Sequence, residues 1–262
     1  MYKQARCYQN GDGVKKDMAK AIELYERAVD MGDTHAMFNL AVIYEEGRGV
    51  DKDFTKAVKL YERACKLGED HSMLNLAYCY EVGQGVAKDA TKAKELLQRA
   101  ADLGNDDAML GLGIRFELEK DMVKAAEMYK RAAFLGNAKA TYNLAVCFLN
   151  GDGLAKDKGK AVNLLKSAAE MGDSRAMFGL GKCYQNGNGV EKDMDKAIEL
   201  YEEASEEGNS DAMVALAEYY AMTEDDEDFD EALELYERAA ELGNKKAKEA
   251  LKVWQLCVDA QP

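Results

Sequence analysis

Glycine recurs along this chain at a nearly fixed interval. Gly32, Gly68, Gly104, Gly136, Gly172, Gly208 and Gly243 follow one another in steps of 36, 36, 32, 36, 36 and 35 residues. A second series keeps the same register. The alanine of a Lys-Ala step stands at Ala21, Ala57, Ala93, Ala125, Ala161 and Ala197, and Ala232 follows Glu231 in the last copy. Self-similarity at one period marks a repeat array, in which each unit buries its apolar face only against its neighbours. The chain therefore reads as seven copies of one supersecondary unit.

Each copy contains two amphipathic helical patterns. In copy two the first pattern places Ala36, Leu40, Ile43 and Tyr44 on one face, and the second does the same with Ala57, Leu60, Tyr61 and Ala64. This is the spacing of a helix with one buried stripe. Gly47-Arg48-Gly49-Val50 joins the two helices, and Asp53 stands where an N-cap belongs, matched by Asp17, Asp89, Asp157 and Asp193. Gly68 then stops the second helix as a C′ residue. An Asp, Glu or Asn directly after each closing glycine is placed to start the next copy.

Residues Ala36 to Gly68 spell A-x-x-x-L-A-x-x-Y-x-x-G-x-G-V-x-x-D-x-x-K-A-x-x-L-Y-x-x-A-x-x-x-G. This pattern resembles the Sel-1-like repeat, a relative of the tetratricopeptide repeat, and it recurs in register over nearly the whole chain. The resemblance implies an all-α, right-handed α-solenoid of about seven helix-turn-helix repeats, with first helices lining a concave surface. It also implies a scaffold or adaptor in a protein complex. Repeats are expected over residues 1–244 and a C-terminal capping helix over 245–262, around Leu251 and the single tryptophan, Trp254.

Three copies depart from the pattern. Copy four lacks the Gly-x-Gly loop, so only Glu117 to Lys120 separate Phe116 from Asp121, and a tighter bend with a local kink is expected. Copy seven replaces that loop with the acidic stretch Glu224 to Glu231, and the register makes Asp230 to Ala239 helical. Copy one begins inside its first helix, with Tyr8 aligned to Tyr44 and polar Gln4 in the place of Leu40. That incomplete first copy leaves open a fragment, a truncated gene model or a naturally abbreviated cap, and with the first of these the regulatory repeat region of a larger complex such as a protein-degradation machinery.

Composition excludes several functions. The net charge is -14, which opposes sequence-independent binding to nucleic acid and to anionic membrane surfaces. No apolar run is long enough to span a bilayer, and the first six residues contain no signal-peptide core. Six cysteines in 262 residues do not form a disulfide scaffold. Cys7, Cys79, Cys147 and Cys183 share one repeat column, where stacked neighbours are about one helix-packing distance apart, roughly 8–10 Å, too far for a bridge. They are expected as small buried residues in a reducing, cytoplasmic setting.

Catalytic and cofactor motifs are weak. The five Gly-x-Gly pairs lack the strand and third glycine of a nucleotide fingerprint and read as turns. Some secreted members of the resembled family carry two cysteines per repeat and are linked to penicillin binding and hydrolysis. Here Met73 stands where the partner of Cys65 would be, and no serine begins a Ser-x-x-Lys motif. His35 and His71 occupy one column of neighbouring repeats, too far apart to share a zinc ion. Asp226, Asp228, Asp230 and Glu237 lack the glycine of a calcium loop. No enzyme activity, metal or cofactor is expected.

The candidate site is the exposed face of the first helices. By analogy with tetratricopeptide domains, the residue before the repeated leucine faces the groove. That column holds Asn39, Asn75, Gly111, Asn143, Gly179 and Ala215. Stacked asparagines can grip an extended peptide backbone, or they can bond within the array; both readings stay open. The preceding column is Phe38, Leu74, Leu110, Tyr142, Phe178 and Val214, and Arg175 and Lys182 add positive charge near Asn143. Only Asn143 and Arg175 fit the clamp that tetratricopeptide domains use for chaperone carboxylates, so that clamp is not expected. The expected partner is a protein or peptide held by Asn39, Asn75, Asn143, Phe38, Tyr142, Phe178, Arg175 and Lys182.

Overall fold

The structure, a computed structural model, describes residues 1–222 and 226–259, and of residues 226–228 and 255–259 the backbone alone. Glu224 and Asp225 of the acidic stretch, and the side chains of Asp226, Asp228 and Cys257, lie outside the described residues. Fifteen helices and no strand occur among the residues described. In chain order they are α1 (Tyr2–Asn10), α2 (Met18–Asp30), α3 (Thr34–Glu46), α4 (Phe54–Lys66), α5 (Asp70–Val82), α6 (Ala90–Asp102), α7 (Asp106–Leu118), α8 (Met122–Phe134), α9 (Ala138–Asn150), α10 (Lys158–Glu170), α11 (Ser174–Asn186), α12 (Met194–Glu206), α13 (Ser210–Tyr220), α14 (Asp226–Glu241) and α15 (Lys245–Asp259). Odd-numbered helices up to α13 are the first helices of the seven copies. The all-α, helix-turn-helix repeat architecture expected from the register is what the chain adopts.

The helices form two compact units, Met1–Glu119 and Lys120–Pro262. Within each unit, every helix packs against the helices next to it in sequence. The boundary falls in the shortened loop of copy four. There Lys120, at φ 65°, is the one non-glycine residue with positive φ among those described.

Side-chain capping explains where the second helices α2 to α12 and most first helices start, α1 having no side-chain cap. Asp17, Asp53, Asp89, Asp121, Asp157 and Asp193 accept the backbone N–H of the lysine three residues on, at 2.9 to 3.2 Å. These bonds satisfy a donor that the helix itself leaves open. At Asp53, Asp89 and Asp157 that N–H is also the main reason the carboxyl titrates below its ordinary range. First helices are capped by the residue after the closing glycine: Asp33, Glu69, Asn105, Asn137 and Asn209 bond the N–H of the residue three further on. The closing glycine completes the stop. With Gly68 at φ 86°, its N–H reaches the Cys65 carbonyl and the Glu69 N–H reaches the Ala64 carbonyl, a Schellman arrangement.

Interhelical packing rests on small residues. The alanine of the Lys-Ala step and the alanine seven residues later are buried in every copy, as with Ala57 and Ala64 in α4. Between them sits a bulky residue. Tyr25, Tyr61, Tyr129 and Tyr201 are the largest fully buried side chains, and Leu97 and Leu165 fill the same column in copies three and five. Buried phenols need a partner. Tyr25, Tyr61 and Tyr201 donate to Gln9, Glu45 and Gln185 on the preceding first helix at 2.7, 2.7 and 2.9 Å.

The second glycine of the long loop is required by proximity as well as by φ at Gly49, Gly85, Gly153 and Gly189. Gly85, at φ +72°, lies so close to α4 that a Cβ there would stand 2.4 Å from the Phe54 carbonyl oxygen. In copy seven, α14 already begins at Asp226, four residues before the expected start, because no glycine interrupts the acidic stretch. Its Phe229 ring stacks on Trp254 of α15 at 4.4 Å.

Two stability predictions result. Gly85→Ala should cost about 3 kcal/mol, combining left-handed strain with a backbone clash. Gly32→Ala has the strain but nothing within 4 Å of the new methyl, and should cost about 1 kcal/mol. Urea unfolding of the two variants separates these contributions. Ser72 is fully buried, its hydroxyl has no hydrogen-bond partner, and alanine holds its column in the neighbouring copies. Ser72→Ala should therefore raise stability by about 1 kcal/mol in the same assay.

Candidate protein-binding surface

The asparagine column follows the buried tyrosine column in three copies, and Ala215 follows Tyr201 in a fourth. Asn39, Asn75 and Asn143 each follow a buried tyrosine (Tyr25, Tyr61, Tyr129) by 14 residues, whereas Gly111 and Gly179 follow Leu97 and Leu165 by the same step. The reason is visible at Asn75, whose amide donates to the Tyr61 hydroxyl at 3.0 Å, across the boundary between copies two and three. Asn39 turns back to the His35 carbonyl of its own helix at 2.8 Å. Asn143 is half-buried. At Asn39 and Asn75 the structure thus shows bonds within the array.

Where the pair is Leu and Gly instead of Tyr and Asn, the first-helix face is left hollow. In the first unit a hollow of about 430 Å³ lies over Leu97 and Gly111, with Leu74, Asn75, Ile114 and Leu118 around it. Its charged members, Arg115 and Glu81, are paired with each other. In the second unit a hollow of about 460 Å³ lies over Leu165 and Gly179, with Tyr142, Phe178 and Lys182 on its walls. Gly179 has no room to spare, since a Cβ there would sit 3.3 Å from Leu165 Cδ2. A further hollow of about 470 Å³ adjoins it over Tyr201 and Ala215, sharing Phe178 and Lys182 and adding Asp211, Glu218 and Lys246.

The sequence-designated residues therefore separate into groups. Tyr142, Phe178, Lys182 and Asn75 line hollows. Phe38 packs between copies two and three, its ring centroid 6.2 Å from Tyr61 and 5.9 Å from His71. Arg175 is not a free cation. Its guanidinium lies 4.6 Å over the Tyr142 ring and donates twice to the buried Asp173 carboxylate, at 3.0 and 2.6 Å. Its charge is neutralised there, and the bond to Asp173 holds it more firmly protonated than usual.

Residues outside the first-helix columns also shape the surface. Lys156, Lys158, Asn150 and Asn188 belong to loops or helix ends, yet they line the second unit's hollow. Their loops are required as turns, so turn chemistry masks their second role. Another feature is an apolar residue directly before the closing glycine, where Met31, Leu67 and Leu103 are more than half exposed in the first unit. Its repetition in register was legible as a column, Met31, Leu67, Leu103, Leu135, Met171 and Leu242.

Other chemistry is poorly supported. Cys65, Cys79, Cys147 and Cys183 are buried and unbridged. Burial pushes the Cys65 thiol up to about 12 and Cys79 to about 11, which suppresses the nucleophilic thiolate. His71 lies 3.4 Å from Glu69 and 3.2 Å from Asp70. Both carboxylates already have structural partners, Glu69 capping α5 and Asp70 accepting from Asn105 at 2.8 Å. No helix among the described residues is long and apolar enough to cross a membrane.

If the asparagines serve the array, their removal should register as stability. Asn75→Ala is expected to cost about 1 kcal/mol through the lost bond to Tyr61. Asn39→Ala, with only an exposed bond inside its own helix, should stay within about 0.5 kcal/mol of wild type. Thermal or urea unfolding of the two single variants checks the difference.

This arrangement has known counterparts. Residues 1–33, 34–69, 70–105, 107–137, 138–173, 174–209 and 210–244 each match the Sel1 repeat. No curated protein matches the chain. Among solved structures it is similar to c5321, a protective antigen present in uropathogenic Escherichia coli strains and displaying an SLR fold. The identity is 31% and the TM-score 0.81, over 97% of this chain and 56% of that one. The chain thus spans little more than half the length of that relative. It is also similar to a Sel1 repeat protein from Oxalobacter formigenes, with 28% identity and a TM-score of 0.84 over 92% of this chain and 100% of that one. Immunity protein Pa5087 from Pseudomonas aeruginosa shares the fold at 24% identity and a TM-score of 0.52, over 79% of this chain and 81% of that one. Seven matched repeats, capped and packed as described, place this chain in the Sel1 repeat family.

Proposed function

We propose that this chain is a non-catalytic scaffold or adaptor that holds a segment of a partner protein against its first-helix face. Sel1 repeat proteins serve generally in protein interactions and are generally non-catalytic. The observation that carries the reading is the placement of the hollows. Two of the three lie on the first-helix face where Leu97/Gly111 and Leu165/Gly179 replace the Tyr/Asn pair, and the third adjoins the second of these over Tyr201 and Ala215. Their walls are apolar and aromatic, with a few polar groups, the usual makeup of a recognition site.

Rigidity favours this use. The wall residue Phe178 packs against Tyr201 at 5.6 Å, and Tyr142 is covered by Arg175. Side chains already ordered lose little entropy when a ligand arrives. The reading does not require the asparagines to touch the partner.

Filling the hollows is the direct test. The double substitutions Leu97→Tyr with Gly111→Asn, and Leu165→Tyr with Gly179→Asn, install the pair found in neighbouring copies. Combined, they should leave the helical circular dichroism intact and abolish capture of partners from a lysate of the source cell. Partners captured equally by the filled variant would place the interaction elsewhere, for example on the exposed Met31, Leu67 and Leu103 positions. A chromogenic β-lactam should show no turnover with the wild type; turnover would end the non-catalytic reading.

A further inference from the structure

We propose that the hollow between copies five and six takes an acidic segment of a partner protein, with one apolar side chain seated against Phe178, above the buried Leu165. The proposal rests on the reading of the first-helix face as a docking surface and assigns the chemistry of its ligand. The chain as a whole carries 49 acidic and 35 basic residues. Against that background this hollow is an exception. Lys156, Lys158 and Lys182 line it, and no carboxylate does.

The three lysines are also unspent. None of them forms an ion pair among the described residues, whereas Lys124, Lys160 and Lys196 each pair with the aspartate capping their helix. Lys158 Nζ is oriented by the Asn188 side-chain oxygen at 2.6 Å. Lys182 Nζ stands 5.5 Å from the Phe178 ring centroid. The Lys158 and Lys182 ammonium groups are thus at the walls of the hollow, where carboxylates flanking an apolar residue would meet them with charge-assisted hydrogen bonds. The net charge of -14 does not cancel this attraction. Screening at physiological salt limits exposed charges to about 8 Å, so the local lysines decide.

The neighbouring hollow sets a limit to the ligand. It shares Lys182 and Phe178 but contributes Asp211 and Glu218. A uniformly acidic peptide is repelled there, so its acidic part is confined to the hollow over Leu165.

The test is selection from a displayed library of random dodecapeptides on immobilised wild type. Two folded variants run in parallel: a charge variant, Lys156→Gln, Lys158→Gln and Lys182→Gln, and a shape variant, Leu165→Tyr with Gly179→Asn. The expected result is enrichment of peptides rich in Asp and Glu around one apolar residue. Synthetic versions of the winners should bind the charge variant about tenfold more weakly and lose affinity as salt rises to about 0.5 M. The shape variant should lose them as well. Winners without acidic residues, lost by the shape variant and kept by the charge variant, would overturn the acidic assignment while leaving the docking reading intact. No enrichment, or winners held equally by both variants, would overturn both. Sedimentation of the wild type alone closes the last route: a dimer abolished by the charge variant would assign the hollow to a second copy and overturn the proposal.

Discussion

Everything in this protein depends on how closely adjacent helices approach, and alanine sets that distance. The two alanines seven residues apart on each second helix, such as Ala57 and Ala64 or Ala197 and Ala204, are buried in every copy. Interaxial distance follows the size of the side chains at the contact. Because the same small residues recur at the same positions, each interface within a unit repeats the one before it. A larger residue at one of these positions overpacks a contact that has no slack, at a cost of about 1–3 kcal/mol.

The glycine and aspartate series are consequences of that close approach. A loop that must turn within a few residues of a neighbouring helix needs left-handed backbone, and at Gly85 and Gly189 it also needs the space a Cβ would take. The helix that follows starts with unsatisfied N–H groups, and the capping aspartates supply acceptors. Hydrogen bonds from Arg63 and Arg99 to the Val29 and Cys65 carbonyls then tie α4 to α2 and α6 to α4, at 3.3 and 3.1 Å. Packing, turn and cap agree in every long-loop copy, which is the consistency expected of a sequence that specifies one fold.

The regular series is broken on the first-helix face. The Tyr/Asn pair fills the first-helix face, and two copies substitute Leu and Gly for it. The resulting hollows are built by deletion: the smaller residues leave surface that the standard pair covers. Arg175 shows why charge cannot be read from composition alone. It lies beside the second unit's hollow but is committed to Asp173 and the Tyr142 ring, whereas Lys156 and Lys158, placed on a turn and a helix start, have no acidic partner among the described residues.

The helices, their repeat register and most of their boundaries were determined by the sequence itself, because each follows from local chemistry; the early start of α14 at Asp226 is the exception. Periodic apolar residues mark the buried stripe, aspartate marks the start and glycine marks the stop, all within one turn of where they act. The columns Tyr142, Phe178 and Lys182 were legible for the same reason, since residues in one register position share one face. What the tertiary structure alone decided is which of those side chains are free. Asn75 is engaged by Tyr61 from the preceding copy, and Lys158 reaches the hollow from outside its column. These relations join residues through packing of one copy on the next, and no local pattern encodes the distance between them.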